Sequence, residues 1–206
     1  MISKNNVEMF NTQDKDYTNL LVEKQKVGWK GFFDVQAPYR WNLQRLKPGL
    51  TLDIGCGIGR NLINLKGKGI GVDHNLNSVQ IARNLGLTAF TPEEFQNSAF
   101  NTSQKFDSLL LSHVAEHMKQ KEVVELLKEY LPLLKPEGKL IMITPQEAGY
   151  NSDPTHVEFM DFLKLRNVIS QLGFEVFKEY SFPFPRVIGH FFTYNEFISV
   201  SCPTHA

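Results

Sequence analysis

Apolar and polar positions change period repeatedly along this chain. Short apolar runs at 51–54, 69–73, 87–90, 106–112 and 139–144 are too brief for helices and predict strands. Between them, apolar residues recur every three to four positions and predict helices at about 58–66, 77–85 and 119–134. In the second helix Val79, Ile81, Ala82 and Leu85 form one face. In the third, Val123, Val124, Leu126, Leu127, Tyr130, Leu131 and Leu134 make a broad stripe. Thr91 followed by Pro92 reads as a helix cap with proline at the first helical position. Pro136, Glu137 and Gly138 read as a turn. A helix at about 159–172 closes at Gly173, and strands follow at about 174–180 and 192–200. Strands alternating with helices predict a parallel sheet with right-handed crossovers. Ligands in such sheets sit at the carboxyl ends of the strands. The segments leaving those ends are 55–60, 73–75, 112–118, 144–158 and 181–191.

Two of these segments carry nucleotide chemistry. Thr51–Arg60 reads TLDIGCGIGR, a strand entering a G-x-G-x-G turn that opens a helix. Glycines there let backbone approach a ligand, and the helix start offers free N–H groups. The dinucleotide fingerprint G-x-G-x-x-G places its third glycine where this chain has Arg60, which disfavours a nicotinamide cofactor. Asp53, against the glycine turn, would repel a pyrophosphate but suit a ligand carrying ammonium and sulfonium charges. The second strand ends in Asp73, where a carboxylate can take both ribose hydroxyls of an adenosine.

Four stretches, LDIGCGIGR (52–60), GVDHN (71–75), FDSLLLSHVAEHM (106–118) and LKPEGKLIMITP (134–145), are similar in order and spacing to the class I S-adenosylmethionine-dependent methyltransferases. They lie within residues 51–145, about half the chain. The resemblance implies an α/β fold: a Rossmann-like seven-stranded sheet, mostly parallel with its last strand antiparallel, and helices on both faces. It implies one domain over 1–206, with a helical leader at 1–46 acting as a lid, a cofactor core at 47–145 and a substrate side at 146–206. It places S-adenosylmethionine against Asp53, Gly55, Cys56, Gly57, Arg60, Asp73, His74, Glu94, Phe95, Ser112 and His113. From the leader, Tyr39, Arg40 and Trp41 would reach the methionine end, although core packing explains Trp41 equally well. The remaining three segments frame the acceptor, with Thr144, Gln146 and Arg186 as substrate contacts.

Composition narrows the partners. Lys and Arg total 22, as do Asp and Glu, so there is no broad basic face for nucleic acid. Cys56 and Cys202 allow no disulfide framework and no CxxC zinc pattern. The first residues lack a signal pattern and no apolar run spans a membrane, which makes the cytoplasm the expected location. The expected acceptor is a small or medium-sized metabolite or a glycan or lipid precursor. The oligomeric state is left open.

The histidines carry the remaining chemistry. His113-Val114-Ala115-Glu116-His117 reads in isolation as H-x-x-E-H, a zinc-protease pattern needing both histidines on one helix. His113 instead ends a strand, so no metal site is expected. His117 and His156 are the candidate bases for an acceptor that carries a proton, with local structural roles as the competing reading. Methyl transfer needs alignment above all, and a chain that binds the cofactor without catalysis is the alternative reading.

Overall fold

A computed structural model describes residues 36–204. The expected leader 1–46 therefore lies mostly outside the described residues. Its last part forms helix α1 (Ala37–Arg45). The order then runs β1 (Thr51–Ile54), α2 (Arg60–Asn64), β2 (Gly69–Val72), α3 (Leu76–Asn84), β3 (Ala89–Phe90), α4 (Pro92–Gln96) and β4 (Phe106–Ser112). It continues with α5 (Gln120–Tyr130), β5 (Leu134–Pro145), α6 (Glu147–Tyr150), α7 (Phe162–Gln171), β6 (Phe174–Phe182) and β7 (Glu196–Pro203).

The seven strands form one sheet in the order β3-β2-β1-β4-β5-β7-β6. β7 runs antiparallel to both β5 and β6, and the other pairings are parallel. Each sheet face has its own core. On one, Leu52, Ile54, Leu109 and Leu111 meet Val123 and Leu127 of α5 and Leu165 and Val168 of α7. On the other, Leu110, Ile141 and Ile198 meet Leu43 of α1, Leu62 of α2 and Val79 and Ala82 of α3. Successive strand residues point to opposite faces, so Asp53, between Leu52 and Ile54, faces the α1–α3 side. Gly71 sits beside it on β2, and a Cβ there would lie 2.5 Å from Cys56 Sγ. Only glycine lets the turn after β1 pack this closely.

Several boundaries differ from the sequence reading for local reasons. The first helix starts at Arg60 because Gly59, with φ 88°, is still in the left-handed region. The stripe expected at 119–134 breaks into α5 and a 3-10 turn at Leu131–Leu133, where Pro132 removes a helical N–H. The expected turn at Pro136–Gly138 survives as an exposed bulge inside β5, between the pairs Phe106–Leu134 and Ser108–Lys139. β7 starts at Glu196 rather than near 192, because the preceding aromatics lie outside the sheet.

Candidate functional site

The carboxyl ends of β1 and β2 are joined through backbone. Gly55 and Cys56 donate their N–H groups to Val72 O at 2.8 and 3.1 Å, and Gly57 donates to Asp73 Oδ2 at 2.7 Å. Asn75 donates its N–H to Asp73 Oδ1 at 2.8 Å and caps α3 by accepting from Asn77 and Ser78. Each Asp73 oxygen keeps a lone pair beyond these bonds, as two ribose hydroxyls would require. Asp53 is fully buried and, among the described residues, neither carboxylate oxygen has a hydrogen-bond partner. Burial, then the neighbouring Asp73, pushes its pKa up to about 8. An orphaned carboxyl beside a glycine turn fits a cationic ligand group, so the residues present match the ammonium and sulfonium of S-adenosylmethionine. Cys56 packs in the core with its thiol pKa pushed up by burial, which rules out a nucleophilic role.

Other expected contacts are placed differently. Phe95 is core, edge-on to Phe90 and tilted against Tyr130. Glu94 completes the α4 capping box and pairs with Arg83 at 2.6 Å. Thr144 is buried and donates its hydroxyl to Met160 O at 2.7 Å. Gln146 is likewise a buried hub. Its amide donates to Ser181 Oγ at 2.6 Å and Glu196 O at 2.9 Å, and its carbonyl accepts from Asn195 Nδ2 at 2.9 Å. Arg186 is held by Glu147 and lies 4.8 Å over the Phe197 ring. Tyr39 donates its hydroxyl to Tyr194 O at 2.7 Å, and exposed Trp41 lies under the Arg45 guanidinium. Arg60 and His74 stay at the mouths of the first two strand ends, His74 Nδ1 being 3.8 Å from Asp73 Oδ1.

The third and fourth segments meet over β4 and β5. Ser112 closes β4, and His113 follows with φ 57°, its N–H donating to Ile143 O at 2.9 Å. That turn swings the chain into a 3-10 turn at Ala115–His117. Glu116 O accepts from Val157 at 2.7 Å and Glu158 at 3.1 Å, tying the loop after β5 onto it. His113 lies between two carboxylates, with Nε2 2.8 Å from Glu196 Oε1 and Nδ1 3.3 Å from Glu116 Oε1. Desolvation by its surroundings opposes its charge although the side chain is 45% exposed, and the two acids outweigh it and push its pKa up to about 10. His117 and His156 come together with ring centroids 4.8 Å apart. Burial and the neighbouring His156 hold the His117 pKa down, against the pull of Glu116. Sequence reading named both histidines but had no means of joining the loop after β4 to the loop after β5. It also missed Glu196 and Asn195, whose only signal is polarity at the start of a strand.

Residues 34–179 match a family described as a methyltransferase domain. With that match covering most of its length, the chain belongs to the S-adenosylmethionine-dependent methyltransferases of class I, and S-adenosylmethionine is its cofactor. No curated protein sequence matches it. Solved structures share the fold. One is a SAM-dependent methyltransferase from Archaeoglobus fulgidus, 20% identical, with TM-score 0.62, covering 91% of this chain and 99% of that one. Another is a TehB-like SAM-dependent methyltransferase from Corynebacterium glutamicum, 15% identical, with TM-score 0.64 and coverage of 93% and 100%. A third is the magnesium protoporphyrin IX methyltransferase of Synechocystis with bound SAH, 15% identical, with TM-score 0.63 and coverage of 92% and 98%.

Proposed function

We propose that this enzyme methylates an oxygen, nitrogen or carbon of a small or medium-sized metabolite, or of a glycan or lipid precursor, and that the acceptor has one apolar face. The observation that carries this is the segment joining β6 to β7. It sits at the carboxyl end of the sheet, where Pro145, Glu196 and Phe182 lie in register. It exposes Phe184, Val187, Ile188, Phe191 and Tyr194 to solvent. Large exposed apolar side chains clustered beside a cofactor site suit an apolar ligand surface.

S-adenosylmethionine, when bound, supplies an electrophilic methyl group. Asp73 and the glycine turn would hold its adenosine, and Asp53 its cationic end. The protein then has to align the acceptor, and orientation contributes roughly 7–11 kcal/mol of the barrier. Where the acceptor bears a proton and no metal is bound, His117 and His156, whose rings meet 4.8 Å apart, are the candidate bases. The test is acceptor-dependent release of S-adenosylhomocysteine across a panel of phenols, isoprenoid alcohols, hydroxy acids and sugars. Turnover is expected with an amphiphilic acceptor. Turnover only on fully polar sugars would overturn the apolar-face reading.

A further inference from the structure

We propose that Glu116, His117 and His156 form a binding site for one divalent transition-metal ion. One ligand atom from each residue lies within 4.8 Å of the others, and His156 Nε2 is 4.0 Å from Glu116 Oε1. Around a bound ion, ligands at ~2.1 Å stand about 3.4 Å apart, so small side-chain rotations close the set.

The hydrogen bonds decide which nitrogens are available. His156 Nδ1 is 2.7 Å from Tyr150 O, a carbonyl that can only accept. Nδ1 therefore carries the proton and Nε2 the lone pair. His117 Nδ1 faces two oxygens, Thr155 O at 3.3 Å and Thr155 Oγ1 at 3.2 Å. The Thr155 hydroxyl donates to Asp153 Oδ1 at 2.7 Å, so it too can only accept from His117. Both imidazoles are thus fixed as Nδ1–H tautomers with Nε2 ready to ligate, the arrangement that orients metal-bound histidines. Glu116 supplies the third group. It is 1% exposed, and among the described residues neither carboxylate oxygen has a hydrogen-bond partner. Such a group is strongly disfavoured unless something cationic meets it. His113 meets Oε1 alone, at 3.3 Å, and divides itself with Glu196. Two imidazoles and one carboxylate with open positions suit zinc or a neighbouring first-row ion rather than magnesium.

The site lies at the ends of β4 and β5, where the acceptor is expected. Its role there rests on the proposed reaction: the ion would take an anionic oxygen of the acceptor, and the two histidines would serve as ligands rather than bases.

The experiment is calorimetric titration of chelator-stripped protein with zinc chloride, and separately with magnesium chloride, before any acceptor is known. One zinc per chain is expected, with binding weakened at least about a hundredfold in His156→Ala and Glu116→Gln. Thr155→Val, which removes only an orienting hydroxyl, should weaken it roughly tenfold. Cobalt loading should give visible absorption bands in the wild type that His156→Ala lacks. Circular dichroism verifies folding of each variant; if Glu116→Gln fails to fold, His156→Ala and Thr155→Val decide. Absence of stoichiometric zinc binding to folded wild type overturns the site, as does zinc binding undiminished in the folded variants or a preference for magnesium. S-adenosylmethionine binding is titrated in parallel, so loss of the metal site and failure of the methyltransferase reading give different results.

Discussion

Gly57 donates its backbone N–H to Asp73 Oδ2 at 2.7 Å, so the glycine turn after β1 and the acid after β2 form one unit. Asp73 thereby orients the turn as well as offering its remaining lone pairs to a ribose. Asp73→Ala is expected to lower S-adenosylmethionine affinity by at least about two orders of magnitude. Two hydrogen bonds to a charged acceptor are worth roughly 1.5–3 kcal/mol each, and 1.4 kcal/mol is tenfold. Titration calorimetry checks this, and a dissociation constant within threefold of wild type would remove Asp73 from the cofactor.

Asp53 makes cofactor binding pH-dependent. The folded chain keeps a proton on this carboxyl up to about pH 8, whereas its ordinary value is 3.8. A raised acid stabilises the fold fully below its unfolded pKa, and that contribution is lost as pH rises through the folded value. Stability from this group therefore falls between about pH 4 and pH 8. A cationic ligand favours the ionised form, so binding near pH 7 should release a proton. Binding heats measured in two buffers of different ionisation enthalpy should differ for wild type and agree for Asp53→Asn. The same variant should flatten the fall in melting temperature between pH 5 and 8. Equal wild-type heats in both buffers would separate Asp53 from the cofactor's charge.

The strand-and-helix order and the glycine turn were legible because each rests on local periodicity or on spacing within ten residues. The antiparallel β7 came from the family resemblance rather than from periodicity. What escaped was set by contacts between distant loops. Gln146 follows a strand end and reads as a substrate contact, yet Asn195 and the Glu196 carbonyl enclose it. Phe192 and Tyr194 fall in the stretch that reads as the opening of β7, since aromatic residues favour strands, but the chain reaches the sheet only at Glu196. The H-x-x-E-H stretch was visible while its partner His156 was not, since a loop after β5 has no sequence rule that aims it.

The Gln146 hub has a steric signature. A Cβ on Gly189 would lie 1.8 Å from Gln146 Oε1, and that side chain is held by its own hydrogen bonds. Gly189→Ala should destabilise the protein by roughly 1–3 kcal/mol, as overpacking does. Gln146→Ala should cost a similar amount by removing the amide that joins Ser181, the Glu196 carbonyl and Asn195. In the double variant the alanine methyl occupies vacated space, so the two costs should sum to more than the measured loss. Thermal and urea melts measure it. Additive losses would show that Gly189 is constrained by something other than Gln146.

The exposed aromatics of the β6–β7 connection allow a test that leaves the core untouched. Phe191 is 84% exposed, so replacing it should barely alter stability. If an apolar acceptor covers its ring, the interaction is worth roughly 1.5–3 kcal/mol. Phe191→Ser should then raise the acceptor KM about ten- to a hundredfold, with kcat and the S-adenosylmethionine dissociation constant unchanged. A parallel loss of cofactor affinity would mean the connection folds over the cofactor instead. An unchanged KM would mean the acceptor approaches past the β4 and β5 ends alone, and the apolar face would be withdrawn from the description of the substrate.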